Sequence, residues 1–311
     1  MMKWLARLGW GLGGFVAAAL LAYYFQAQSL PDLQSWHQRD VAIEVVPELE
    51  KPATLEEYLE HEAGIFTALD RLIAGSDASL PRWHRYSAAA HAIYRVAWPE
   101  GNRTVLQTPE EPLGAAMLVH GLSDSTHSMR ALAQALHSEG FEVLNLRMPG
   151  HGTLPGALQA VTWKQFRDTY AVGVKALADR LGAGRPLILV GYSNGAALAV
   201  DYALKALASD GELRRPDLLI LLSPALRVAP VAAYARIQRW VSYLPGMEKL
   251  GWTDVVSEFD PFKYNSFPVY AGEQIYGLTR ALDRGFSRLS AEQLEQFPPV
   301  LAFQSILDAT I

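Results

Sequence analysis

Short apolar runs alternate along this chain with stretches in which apolar residues return every three or four positions. Ala115–Val119, Phe141–Leu146, Leu187–Val190, Leu218–Leu222 and Val300–Gln304 are too short for helices and read as buried strands, with an earlier one expected over Asn102–Thr108. Helical patterns lie between them. Ser128–Glu139 places Met129, Leu132, Ala135 and Leu136 on one face and is stopped by Gly140, and Thr162-x-x-Gln165 opens a second helix that runs to about Arg180. A small-residue helix starts after Gly195. Strand and helix alternate five times at short spacing, which predicts an α/β fold whose mostly parallel sheet carries helices on both faces.

The ends of the chain break this rhythm. Leu8–Phe25 is eighteen residues without a charge, about 27 Å as a helix. Lys3 and Arg7 precede it and the next basic residue is Arg39, with Trp4, Trp10, Tyr23 and Tyr24 near its two ends. The expectation is an uncleaved single-pass membrane anchor, N-terminus cytoplasmic, with the remaining domain on the far, periplasmic or extracytoplasmic, side. A cleaved signal is the competing reading, but Phe25-Gln26-Ala27 puts a bulky ring where a small residue is wanted. Thr54-Leu-Glu-Glu57 has the pattern of a capping box opening a helix through about Ala68, outside the catalytic core. Between Pro224 and Pro299 no strand-like run occurs, and that insertion is expected to form a helical cap over the ligand crevice. The domains expected are an anchor (1–25), a tether with a helical extension (26–95), a core (96–225), the cap (226–298) and a last strand with an acid loop (299–311), leaving the core incomplete.

Composition narrows the function classes. With 311 residues and 50% hydrophobic content the chain can bury a large core. The net charge of −5 is spread without long runs, and no basic patch interleaves with aromatics, so nucleic acid is not an expected partner. Cysteine is absent, which excludes a thiol nucleophile, disulfides and thiolate metal sites. Asp124 and His127 are the only close pair with ligand chemistry, and no metal or other cofactor is expected.

The candidate chemistry sits where Leu187-Ile-Leu-Val190 breaks into Gly191-Tyr-Ser-Asn-Gly195 and then into the small-residue helix. A serine on such a strand-turn-helix corner is pushed out of the sheet with its hydroxyl exposed. Its attack on a carbonyl needs a base and oxyanion donors. The backbone N–H groups of Asn194, after the serine, and Leu122, after the strand ending at His120-Gly121, would lie at one edge of the sheet. Asp308 follows the last strand and is the candidate acid, with Asp254, Asp260 and Asp283 competing from within the cap. The base is missing. The histidines are His37, His61, His84, His91, His120, His127, His137 and His151, and none follows Ser193.

Four segments together resemble α/β-hydrolases: the run from His120 to Leu132, the loop Arg147-Met-Pro-Gly-His-Gly-Thr153, Gly191-Tyr-Ser-Asn-Gly195, and Phe303–Ile311. The nearest branch holds monoacylglycerol lipases, lysophospholipases, carboxylesterases and some serine aminopeptidases. The resemblance implies Ser193 as nucleophile, Asp308 as the acid orienting a histidine, and Leu122 with Asn194 as oxyanion hole. His120, at the crevice wall, and Tyr192 are expected to bind substrate, while His120 and His151 are expected to serve structure rather than act as the base. The family's histidine would follow one more helix and strand after Asp308, so the sequence is expected to stop short of the whole core and this chain to be nearly inactive. The function expected is cleavage of carboxylic, acyl-lipid esters through an acyl-enzyme. The alternatives are peptide or amide hydrolysis by the same residues, or a non-catalytic binding protein on this fold. Oligomeric state stays open.

Overall fold

Five of the predicted strands, with the short early one, form a single six-stranded sheet: β1 (Val105–Gln107), β2 (Gly114–Val119), β3 (Phe141–Leu146), β4 (Leu187–Tyr192), β5 (Leu218–Leu222) and β8 (Val300–Phe303). Their order is β1-β3-β2-β4-β5-β8, with β1 antiparallel and every other pairing parallel. The computed structural model describes residues 2–40, 52–76, 79–182, 184–209, 211–227 and 235–305. All six residues of β2 are buried because alternate side chains serve two cores. Ala115, Met117 and Val119 face Phe166, Tyr170, Val174 and Leu177 of helix α5 (Trp163–Leu181) and the apolar side of α6 (Asn194–Ala208). Ala116 and Leu118 face Met129 and Ala133, which begin and line α4 (Arg130–Ser138).

The local signals explain most boundaries. Thr162 accepts from the Gln165 N–H while the Gln165 side chain accepts from Thr162, a complete capping box. Thr54 caps α2 (Leu55–Ala74) in the same way, but Glu57 reaches back to the N–H of Ala53 rather than that of Thr54. Helix α3 (Ala88–Ala97) was not predicted separately; its one clear signal is Ser87, which accepts from Ala90.

Three expectations change. No helix among the described residues is long and apolar enough to cross a membrane, which overturns the anchor, its orientation and the placement of the domain across a bilayer. The apolar stretch is a helix, α1 (Met2–Gln28), and its end leans on protein. Gln28 donates to the Gly246 carbonyl, and Lys249 binds the Leu30 carbonyl and Asp32 at 2.8 and 2.9 Å. The segment expected to be a cap is also divided. Helix α7 (Ala235–Ser242) buries none of its residues, whereas α8 (Val269–Phe286) sends Leu278 and Leu282 into the main core and lies against α6, where a Cβ on Gly285 would come 2.9 Å from Leu204. Between α7 and α8, β6 (Trp252–Asp254) and β7 (Phe267–Pro268) pair antiparallel, strands too short to show in the hydrophobic pattern.

The N-terminal extension, expected outside the core, is part of it. Tyr58 of α2 enters the main cluster, and Ile65, Phe66, Leu69 and Ile73 make a second one with Tyr86, Leu154 and Ala157. The opposite edge differs: Val300, Leu301 and Phe303 of β8 are 47%, 47% and 52% exposed, so this strand is covered on neither face by the described residues.

Candidate active site

The turn after β4 is forced by close packing. A Cβ on Gly191 would lie 2.2 Å from the Ala196 nitrogen, and one on Gly195 would lie 2.1 Å from the Val119 carbonyl oxygen. Only glycine lets strand and helix cross this closely. Between them Ser193 takes φ 51° and ψ −108°, a left-handed conformation that side chains seldom occupy. Its backbone holds the strain in place: the N–H donates to Leu222 at 2.9 Å and the carbonyl accepts from Ala197 and Ala225 at 3.2 Å. The half-buried Ser193 hydroxyl has no hydrogen-bond partner among the described residues.

The β2 end lies beside this turn because Val119 pairs with Gly191. Gly121 is confined there, since a Cβ would meet the Asp124 carboxylate at 2.9 Å and the Tyr192 ring at 3.1 Å. The Leu122 N–H has no acceptor among the described residues, and the Asn194 N–H, in the first turn of α6, has no intrahelical one. The structure thus brings Leu122, Tyr192, Ser193 and Asn194 to one sheet edge. The Asn194 side chain is buried with neither amide atom hydrogen-bonded among the described residues. Asp308 lies outside the described residues.

The expectation for His120 as a substrate-binding residue is corrected. The ring is fully buried; Nε2 accepts from the Met148 N–H at 3.1 Å, leaving Nδ1 to donate to the Gly121 carbonyl at 2.8 Å. It braces the loop from within and does not face the crevice. His151 is buried beside it, ring centroids 4.7 Å apart, with Nδ1 and Nε2 each 2.8 Å from a carbonyl, of Pro149 and Leu122. Burial pushes its pKa down to about 4 against the opposing pull of those carbonyls, and burial likewise holds His120 well below the ordinary range. No described histidine is hydrogen-bonded to Ser193. His127 stacks on Phe262 at 3.4 Å, His91 pairs with Asp70 at 2.9 Å, and His37 meets Ser266 at 3.0 Å.

Sequence reading missed the groups that hold the loop 147–153. Tyr264 accepts from the Thr153 N–H at 2.9 Å and donates to the Gly150 carbonyl at 2.8 Å, while Tyr86 donates to the Thr153 carbonyl at 2.8 Å. These aromatics read as ordinary core residues, and nothing local marks their hydroxyls as loop supports.

Comparison with known proteins places this geometry in a family of folds. Residues 110–253 match the family model Hydrolase_4, described as serine aminopeptidase, S33. No curated protein matches the chain. Among solved structures, one from a study of two metagenome-derived lipolytic enzymes is 19% identical, with 66% of this chain and 88% of that one covered and a TM-score of 0.50. A monoacylglycerol lipase from Paleococcus ferrophilus is 18% identical over 64% of this chain and 87% of that one, TM-score 0.45. A soluble variant of monoglyceride lipase from Saccharomyces cerevisiae is 15% identical over 64% and 71%, TM-score 0.45. The α/β-hydrolase resemblance is borne out, the matched segment holding three of its four motifs, and the fold is that of an α/β-hydrolase.

Proposed function

We propose that this α/β-hydrolase is a serine hydrolase that cleaves carboxylic esters, acyl-lipid esters foremost, through an acyl-enzyme on Ser193. The observation that carries the reading is the corner itself: a strained serine whose hydroxyl has no hydrogen-bond partner among the described residues, beside two backbone N–H groups that have no acceptor among them. Such groups are useful where negative charge develops.

In the proposed reaction the Ser193 oxygen attacks the ester carbonyl carbon as its proton passes to a base, and the N–H groups of Leu122 and Asn194 receive the oxyanion. The tetrahedral intermediate collapses by breaking the carbon–oxygen bond, and the alcohol leaves with the proton. Water then attacks the acyl-enzyme, releasing the carboxylic acid and restoring the hydroxyl. Asp308 is assigned to orienting a histidine base, and none of the eight histidines is assigned as that base. Ile237, Trp240 and Leu244 lie exposed at helical spacing on and just after α7, which supports an apolar acyl group.

A panel of p-nitrophenyl acyl esters set against aminoacyl anilides, run on the full-length protein, tests the reading. Ester cleavage lost in Ser193→Ala is expected. Activity confined to the anilides would move the function to peptide hydrolysis, and no turnover of either would favour a binding protein.

A further inference from the structure

The α2 helix lies outside the segment that matches the hydrolase family, yet its buried acid is wired to the loop beside Ser193. Glu62 accepts from the Thr104 N–H at 2.8 Å, the Thr104 hydroxyl at 2.9 Å and Arg147 Nε at 2.8 Å. Arg147 is fully buried and donates from Nη1 to the His151 carbonyl at 3.0 Å, while Tyr58 of α2 donates to the Arg147 carbonyl at 2.8 Å. The turn this creates is fixed by Gly150 and Gly152, both with positive φ; a Cβ on Gly152 would come 2.5 Å from Asn102. From it two bonds reach the end of β2: Met148 N–H to His120 Nε2, and His151 Nε2 to the Leu122 carbonyl.

We infer that α2 is part of the catalytic apparatus at one remove: Glu62, Arg147 and His151 form a positioning relay that clamps the Leu122 carbonyl, while His120, held by Met148 of the same loop, holds the Gly121 carbonyl, whose peptide carries the Leu122 N–H, so that this N–H is aimed at the oxyanion. The physical reason is preorganisation. A donor stabilises developing charge only if it need not be reoriented when the charge appears, and losing one such donor typically slows turnover about 10²- to 10³-fold. Loosening a donor costs less than deleting it. His151 and Glu62 are positioning residues that touch no substrate, and the inference rests on the proposed serine hydrolysis.

The test uses full-length protein and two readouts. For a p-nitrophenyl ester, His151→Leu, which fills the space without a donor, is expected to lower kcat about 10- to 100-fold with KM changed less than about twofold. His151→Gln, whose Nε2–H can replace the histidine donor to Leu122, is expected to restore most of the loss; a merely structural role would not give this rescue. Hydrogen exchange supplies the readout independent of activity: Glu62→Gln should speed exchange in the peptide spanning residues 120–124 relative to the α4 peptide. Wild-type kcat in a folded His151→Leu protein overturns the relay, as does unchanged exchange in Glu62→Gln. A wild-type protein that neither hydrolyses esters nor labels at Ser193 overturns the proposed function and the catalytic role of the relay with it, and the exchange result then reports separately whether the link exists.

Discussion

The Ser193 corner and the 147–153 loop sit against the same strand end and are built in opposite ways. At the corner the backbone is strained, two glycines are obligatory, and the hydroxyl and two N–H groups are left without partners among the described residues. In the loop the polar groups are spent on each other: Arg147 on Glu62 and the His151 carbonyl, the single N–H of neutral His151 on the Leu122 carbonyl in the tautomer protonated at Nε2, His120 on Met148 and Gly121. Serine and histidine are both reactive residue types. What separates them here is that one region keeps its chemistry available at a conformational cost, and the other consumes it to hold a shape.

The sharpest way to break this contrast is to relax the corner. Gly195→Ala would press a methyl group on the Val119 carbonyl, and we expect a loss of about 4 kcal/mol or more with a fall in Tm of roughly 10 °C. A calorimetric scan checks it, and a Tm near wild type would show that the corner is looser than described. Next comes the loop. Arg147→Met leaves the Glu62 carboxylate buried with Thr104 as its remaining partner among the described residues, and urea denaturation should show a loss of about 3 kcal/mol.

The smallest expected effect is the pH dependence of the loop. His151 has a folded pKa lowered to about 4, below the value of an unfolded histidine. As pH falls from about 6.5 the unfolded chain takes up this proton first, so the stability contributed is full above about pH 6.5 and is lost towards pH 4. Denaturation at pH 7 and pH 5 should show wild-type stability falling, and His151→Gln should flatten the fall by about 1 kcal/mol per pH unit. An unflattened slope would mean that His151 is not held neutral.

Much of this was legible in the chain. The β3 and β5 bounds and the Thr162 capping box came from local signals, and Gly191-x-Ser193-x-Gly195 located the corner because its chemistry is contiguous. The loop wiring was not, since Glu62 and Arg147 are 85 residues apart and a buried pair leaves no local pattern. His120 misled for a related reason: a histidine at a strand end looks the same whether it faces the crevice or the interior. In α8 the glycines that allow close approach to α6 and to Trp163 hid a core helix inside an expected cap. At α1, eighteen uncharged residues with flanking basic and aromatic residues suggested a membrane span, whereas no helix among the described residues is long and apolar enough for one.

Whether Ser193 is the group left available for chemistry is decided by reaction of the full-length protein with a fluorophosphonate, followed by mass mapping of the adduct. A single phosphonylated residue, Ser193, is expected, with no adduct in Ser193→Ala. An adduct elsewhere, or ester hydrolysis that survives in Ser193→Ala, would contradict it.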